Sequence, residues 1–384
     1  MKKIPHEKTK KVFSAIAFTS ILSLLFIYSG NIIESIKNTV NIFIYYVFPS
    51  LFPFLLFTEF SLNTKILDSI CAKFGNIIYK IFPISKNGLQ AIIIGFLCGY
   101  PNGAKVVSKL YNNNLLSFTQ AKYISTFINN CNPIFIYTTV GICMFNNVKI
   151  GILLLICHYL SSILIGIFSS RIYKYNNIIH ENSIFLNTNN IKTGNNCKIS
   201  IFSNLQISLK NTFKTLLNIF GFLLIFNLMA QILKKFLSQF LIKNNILCII
   251  TSIFEITSGI SDIVSSQLSY NYIIILTSFL LGFSGICIIF QIYSISSCDN
   301  IPFKTIFCSK ILHGLLSALI CYIFLKTNIF NFEVSSVYHS IDMFNVNSLI
   351  CYEYIKNIVI FYIIFTILVL TLLFINRKKI VKKF

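Results

Sequence analysis

An apolar run that ends in helix breakers and a charge constrains this chain more than any other feature. Gln90 to Cys98 would suit a lipid interior; Gly99, Pro101 and Gly103 follow within five residues, with Lys105 just beyond. Proline lacks a backbone N–H and glycine costs a helix entropy, so no regular helix runs through Gly99-Tyr100-Pro101-Asn102-Gly103. In hydrocarbon, irregular backbone is tolerated only where it lines a cavity or is buried in protein. The chain is expected to restart as a helix at Ala104, capped by Asn102 or Gly103. A helix N-terminus offers free N–H donors and partial positive charge, and Lys105 adds a full charge in the first turn. The stretch reads as a re-entrant hairpin over residues 88–111 with an anion site inside the membrane. The competing reading is a kinked helix whose Lys105 snorkels to the headgroups. Break and charge coincide, and intramembrane ionisable residues are functional by default, which favours the site.

Composition makes the surroundings a membrane. Of 384 residues 55% are hydrophobic and 11% charged, with mean hydropathy +0.76; soluble domains carry about a quarter charged residues. The net charge of +21 comes from 32 basic against 11 acidic residues. The basic residues gather at the termini and in polar loops, as the positive-inside rule describes, so a nucleic-acid partner is excluded and a lipid bilayer is the partner. The 12 cysteines form no C-x-x-C and no ligand spacing with histidine, so neither a disulfide framework, a metal site nor a cofactor is expected. No H-E-x-x-H, G-x-S-x-G or Walker loop occurs, and an enzyme is not expected.

The expected architecture is all-α and polytopic, with about eight transmembrane helices plus two re-entrant hairpins. Residues 1–39 hold an uncleaved first span, Val12–Tyr28, with a cytoplasmic basic start and a polar link at Asn31–Asn38. Residues 40–171 form a first transporter half. It has a bent or broken span, Val40–Leu62, with Pro49, Pro53 and Glu59, and an interfacial amphipathic stretch, Lys65–Lys86. The hairpin at 88–111 follows, then a capping box at Ser117-Phe-Thr-Gln120 that opens a helix reaching Asn129. Asn132 as N-cap and Pro133 as first helical residue open another helix, through Phe145, and Lys149–Ser170 with His158 is a clean span. Residues 172–212 read as a polar cytoplasmic loop. Residues 213–326 form a second half: spans Phe213–Leu233, Ile246–Val264 with Glu255 inside, and Phe307–Leu325 with His313. Between them Tyr272–Ile295, broken at Gly282-Phe-Ser-Gly285 and carrying Gln291, reads as a second re-entrant hairpin over 272–295, and crossing parity works if it enters and leaves on one side. Residues 327–384 comprise an acidic external loop, a last span at Ile358–Ile375 and a basic tail.

The halves show a weak internal repeat. Glu59 and the Gly95–Gly99 run parallel Glu255 and Gly282–Gly285, and the run from His158 parallels the run from His313. Repeated halves with paired broken helices are transporter logic, with the site between them near the midplane. The crossing count opposes the two His segments but not the two Glu segments, so inverted and parallel repeats both stay open. Glu59 and Glu255 are the intramembrane acids that a coupling ion, proton or sodium, would use; Glu59 reads equally well as an interfacial residue. Gln291 and Asn132 would hydrogen-bond a substrate or bridge helices, and the two histidines read as helix-bridging.

Phe48-Pro-Ser-Leu-Phe-Pro-Phe54, Gly99-Tyr-Pro-Asn-Gly-Ala-Lys105, Asn129-Asn-Cys-Asn-Pro133 and Gly282-Phe-Ser-Gly285 with Gln291 together resemble the YlbJ (SpoVV) family of sporulation integral membrane proteins, within the nucleoside-recognition (Gate) group. The resemblance runs from about Val40 to Leu325; serine stands at position 284, where glycine is expected of the family. It implies a fold similar to concentrative nucleoside transporters. It also implies movement of dipicolinic acid out of the mother cell, across the membrane around the forespore, in support of the cortex. A small planar dianion matches the sign of the helix termini at Asn102/Gly103 and Asn132/Pro133 with Lys105 between. The expected substrate-binding set is Gly99, Tyr100, Pro101, Asn102, Gly103, Lys105, Asn129, Asn132, Pro133, Gly282, Gly285 and Gln291. A non-transporting cortex scaffold and a nucleoside carrier are the alternatives, and a homo-oligomer is left open.

Overall fold

A computed structural model describes residues 29–64, 71, 81–82, 84–175, 201–240, 243–296 and 301–327. Among these every regular element is a helix. The expected spans Val12–Tyr28 and Ile358–Ile375, most of the Lys65–Lys86 stretch, the centre of the polar loop and the acidic loop with the basic tail lie outside the described residues. Among the described residues five helical stretches are long and apolar enough to cross a membrane: Ile32–Leu62, Val148–Ile172, Ile201–Ser238, Tyr270–Ser296 and Phe303–Lys326.

The first helix is continuous where a polar link and a bent or broken span were expected. Helix α1 (Ser29–Ile42) passes through a π-wound turn, π1 (Phe43–Val47), into α2 (Phe48–Asn63). Pro49 falls in the first turn of α2, where a missing N–H is least costly, and the π turn upstream accommodates the change in hydrogen bonding. The polar stretch before residue 212 is likewise helical at its end, because α7 runs from Ile201 to Ser238.

Helices α3 (Lys86–Leu97) and α4 (Asn102–Asn112) pack against each other around the break, which is a hairpin. Helix α4 starts at Asn102, two residues before the expected Ala104; neither Asn102 nor Gly103 caps it, and Pro101 holds the N-cap position without a side-chain bond. Ser117 caps α5 (Phe118–Ser125) by accepting from Gln120 N–H, but α5 ends before Asn129. Thr126–Asn132 is an interruption, and the helix that resumes at Pro133 is π-wound over Phe135–Met144 (π2). Asn132 Oδ1 accepts from Ile134 N–H at 2.8 Å, as its N-cap role requires. The long helix α6 (Val148–Tyr175) follows.

The second hairpin lies elsewhere than expected. Residues 246–264 are not one span: α8 (Asn244–Phe254) stops at Glu255, whose backbone is extended (φ −135°, ψ 121°), and α9 (Ile256–Val264) folds back along α8. Glu255 thus sits at a hairpin tip. The 272–295 segment, in contrast, is α10 (Tyr270–Phe283) and α11 (Gly285–Ser296), which do not pack on one another. Helix α10 lies along α12 (Phe303–Lys326), while α11 contacts α4 and α8, so this is one span-length helix interrupted at Ser284. Ser284 is left-handed (φ 71°), a conformation that costs a non-glycine residue about 1–2 kcal/mol. It needs a compensating contact, described below.

One order of elements therefore occurs twice: long helix, hairpin, interrupted helix, long helix. In that order Gly99 corresponds to the Glu255 tip and Thr126–Asn132 to Ser284, which replaces the pairing of the Gly95–Gly99 run with Gly282–Gly285. His158 lies on α6 and His313 on α12, and their rings lie 4.5 Å apart.

Glycines let these elements approach. A Cβ on Gly259 would lie 2.3 Å from Ser252 Cα within the second hairpin; one on Gly141 would lie 2.4 Å from Gly151 Cα, between π2 and α6. Gly221, in α7, has nothing within 4 Å. Gly259→Ala is expected to lower the melting temperature of detergent-purified protein by several degrees, the shift that an overpacking cost of about 1–3 kcal/mol brings. Gly221→Ala is expected to leave it unchanged or raise it slightly, through helix propensity.

Candidate functional site

The interruptions are satisfied by one another. Tyr100 N–H donates to Asn130 O at 2.7 Å, joining the first hairpin to the α5–π2 break. Cys131 N–H donates to His158 Nε2 at 2.9 Å, and Ser162 Oγ donates to Phe127 O at 2.6 Å, both from α6. The Tyr159 hydroxyl lies 2.8 Å from Phe96 O and 2.9 Å from Cys131 O. Asn132 Nδ2 donates to Ser50 O on α2. His313 Nε2 meets His158 O at 2.9 Å, so His158 is protonated on Nδ1 and His313 on Nε2, and both bridge helices as expected. Gly99 (φ +74°) permits a close approach: a Cβ there would lie 2.7 Å from Asn132 N.

Two cavities adjoin this knot. The larger, about 460 Å³, lies between α2, α4, α7 and α11; its polar lining includes Glu59, Lys105, Lys109, Asn211, Lys214 and Gln291. The smaller, about 40 Å³, is lined by Ser50, Tyr100, Asn132, Glu255, Thr257 and Gln291 among apolar neighbours. Gln291 and Ile219 border both.

Lys105 is not the uncompensated cation that the sequence suggested. Its Nζ lies 2.6 Å from Glu59 Oε1 and donates to Thr215 Oγ1 at 2.8 Å; Asn211 Nδ2 donates to Glu59 Oε2 at 3.1 Å. Glu59 is buried within the protein, at 4% exposure. Lys105 therefore does not snorkel freely. The cavity wall still holds three lysines to one carboxylate. Glu255, 2% exposed, accepts from Thr257 N–H (2.9 Å), Ser258 N–H (2.7 Å) and Ser258 Oγ (2.8 Å). It caps α9, a placement that helix N-termini favour for a carboxylate.

The structure gathers Pro101, Lys105, Glu59 and Gln291 at the larger cavity and Tyr100, Asn132 and Glu255 at the smaller. The remaining residues of the expected set do something else. Gly103 abuts Ile128 O, and Gly282 abuts Gly314 at the α10–α12 crossing. Asn102 Nδ2 donates to Cys98 O and Asn129 Nδ2 to Ser125 O, within their own segments. Pro133 opens the helix into π2, and Gly285 (φ +72°) opens α11 beside Ile256 at the second tip. Sequence reasoning missed Lys109 and Lys214. Lys109 is four residues beyond Lys105, on the same helix face, which was a usable signal. It also missed Lys310, which lies three residues before His313 in an apolar run.

A bundle of span-length apolar helices, with interrupted helices knotted at its centre, makes this a multi-pass, all-helical integral membrane protein. Its sequence is 26% identical over 309 residues to the sporulation integral membrane protein YlbJ of Bacillus subtilis (strain 168), covering 74% of this chain and 76% of that protein. That similarity supports the resemblance to the YlbJ family. No protein-family model and no solved structure matches it.

Removing Lys105 takes the ion-pair partner from buried Glu59 and leaves it the Asn211 hydrogen bond and the charge of Lys109. Breaking a buried pair costs about 3–5 kcal/mol, less here because the Lys105 side chain is 28% exposed. Lys105→Ala is expected to lower the melting temperature markedly. Adding Glu59→Gln is expected to restore most of the loss, because a neutral amide replaces the orphaned charge. Equal melting temperatures for single and double variants would show that the pair contributes nothing.

Proposed function

We propose that the protein is a carrier, not an enzyme, that moves a small organic dianion, dipicolinic acid, out of the mother cell toward the forespore during sporulation, where it supports cortex formation. It would act as a multi-pass protein in the mother-cell membrane around the forespore. A sporulation membrane role rests on the relative. The dianion rests on one observation above all: a cavity of about 460 Å³ against the first hairpin, walled by Lys105, Lys109 and Lys214 with Glu59 as its one carboxylate.

The chemistry follows from that wall. In the absence of substrate Glu59 neutralises Lys105, so the cavity does not carry three uncompensated charges. An arriving carboxylate competes with Glu59 for Lys105 while Lys109 and Lys214 meet the second carboxylate. Asn211, Asn218 and Gln291 offer amide donors for the remaining oxygens. Each charge-assisted bond is worth about 1.5–3 kcal/mol in a partly dehydrated site, enough to select a dianion over a monoanion. A nucleoside carrier has no use for the lysines, and a scaffold has no use for the cavity.

Uptake of radiolabelled dipicolinate into liposomes containing the purified protein tests the reading. Lys109→Ala and Lys214→Ala are each expected to lower the initial rate roughly ten- to a hundredfold at low substrate, the loss of one such bond. Thymidine or another nucleoside is expected not to compete. Uptake unaffected by both substitutions, or inhibited by nucleosides, would contradict it.

A further inference from the structure

Lys310 is a buried lysine, and its surroundings are unlike those of the partly exposed Lys105. It lies on α12 at 4% exposure. Its Nζ donates to Asn129 O, in the α5–π2 interruption, and to Ser284 Oγ at 3.0 Å, at the α10–α11 interruption. It also stands over the Tyr100 ring, 5.9 Å from the centroid. Among the described residues no carboxylate lies within salt-bridge distance: Glu59 is on Lys105, and Glu255 caps α9. The other titratable groups around it are Tyr100 from the first hairpin, Cys131 from the first interruption, His158 from α6 and His313 on its own helix. Both histidines already hold backbone partners.

One ammonium therefore ties both interrupted helices together, bonding a main-chain carbonyl in one half and a hydroxyl in the other. Those are the oxygen donors a monovalent metal ion would use. The tie also explains how Ser284 persists in a left-handed conformation: its hydroxyl is engaged. We infer that Lys310 is the coupling-proton site of the protein, an internal cation that latches the two interruptions when protonated and frees them when it gives its proton to water. The step is Lys310–NH3⁺ + H2O → Lys310–NH2 + H3O⁺; no other bond breaks. The neutral amine keeps its N–H groups but loses the charge that strengthens both bonds. A lysine can be discharged in this way, whereas an arginine stays charged. The coupling role rests on the carrier reading; the latch does not.

The test is hydrogen–deuterium exchange of the full chain in nanodiscs between about pH 6 and about pH 10, corrected for intrinsic exchange and followed in segments 126–132 and 282–286. In the wild type, protection of both segments is expected to fall together by roughly tenfold or more as pH rises, the effect of losing a hydrogen bond to a charged group. Lys310→Arg is expected to hold protection across the range, and Lys310→Met to lack it throughout. Protection independent of pH in the wild type, or lost equally in Lys310→Arg, overturns the proposal, as does protection that follows sodium concentration instead. The expected exchange pattern from a protein that moves no dipicolinate in liposomes would leave the latch standing and remove the carrier reading.

Discussion

Backbone interrupted inside a membrane must find partners within the protein, and the rest of this structure follows from that constraint. The interruptions at Cys98–Pro101, Thr126–Asn132, Glu255 and Ser284 free N–H and C=O groups that lipid cannot satisfy. Several are met by another element: Tyr100 N–H by Asn130, Cys131 N–H by His158, Phe127 O by Ser162 and Asn129 O by Lys310, which also holds the Ser284 hydroxyl. Glu255 satisfies the N–H groups that its own break exposes. The breaks must therefore lie together, and the helices that carry them must cross closely. That explains why Gly99, Gly141, Gly259 and Gly282 sit where a methyl group would meet another backbone.

Charge is handled in two ways around this centre. Lys105 faces a cavity and is given Glu59, with Thr215 and Asn211 on α7 completing the network. The pair keeps the buried Glu59 carboxylate from standing without a cation beside the polar opening. Lys310 has no carboxylate in salt-bridge distance among the described residues and binds oxygen dipoles of the protein itself. The first arrangement suits exchange of one carboxylate for another. The second suits holding structure, for as long as the charge lasts.

Much of this was legible in the sequence. Hydropathy and charge distribution gave the all-helical membrane class, and Gly99, Pro101 and Gly103 marked the first hairpin, because breakers act locally. Asn132-Pro133 marked a helix start for the same reason. The second hairpin was not legible: Glu255 interrupts a run with neither glycine nor proline at the break, and its capping of Thr257 and Ser258 appears only once α9 folds back. Gly282-Phe-Ser-Gly285 did mark an interruption, but breakers do not say whether a chain reverses or continues; packing of α10 along α12 decides that. The partner of Lys105 lay 46 residues upstream and its hydroxyl 110 downstream, a separation that no local pattern encodes.

The claim at the centre is that the lysine-walled cavity beside the first hairpin holds a small dianion. Equilibrium binding of dipicolinate to the purified protein, set beside picolinate, which lacks one carboxylate, measures it most directly. Dipicolinate is expected to bind at least about tenfold more tightly, the worth of one charge-assisted contact, with the advantage shrinking in Lys214→Ala. Equal binding of the two acids, or none of either, would contradict it.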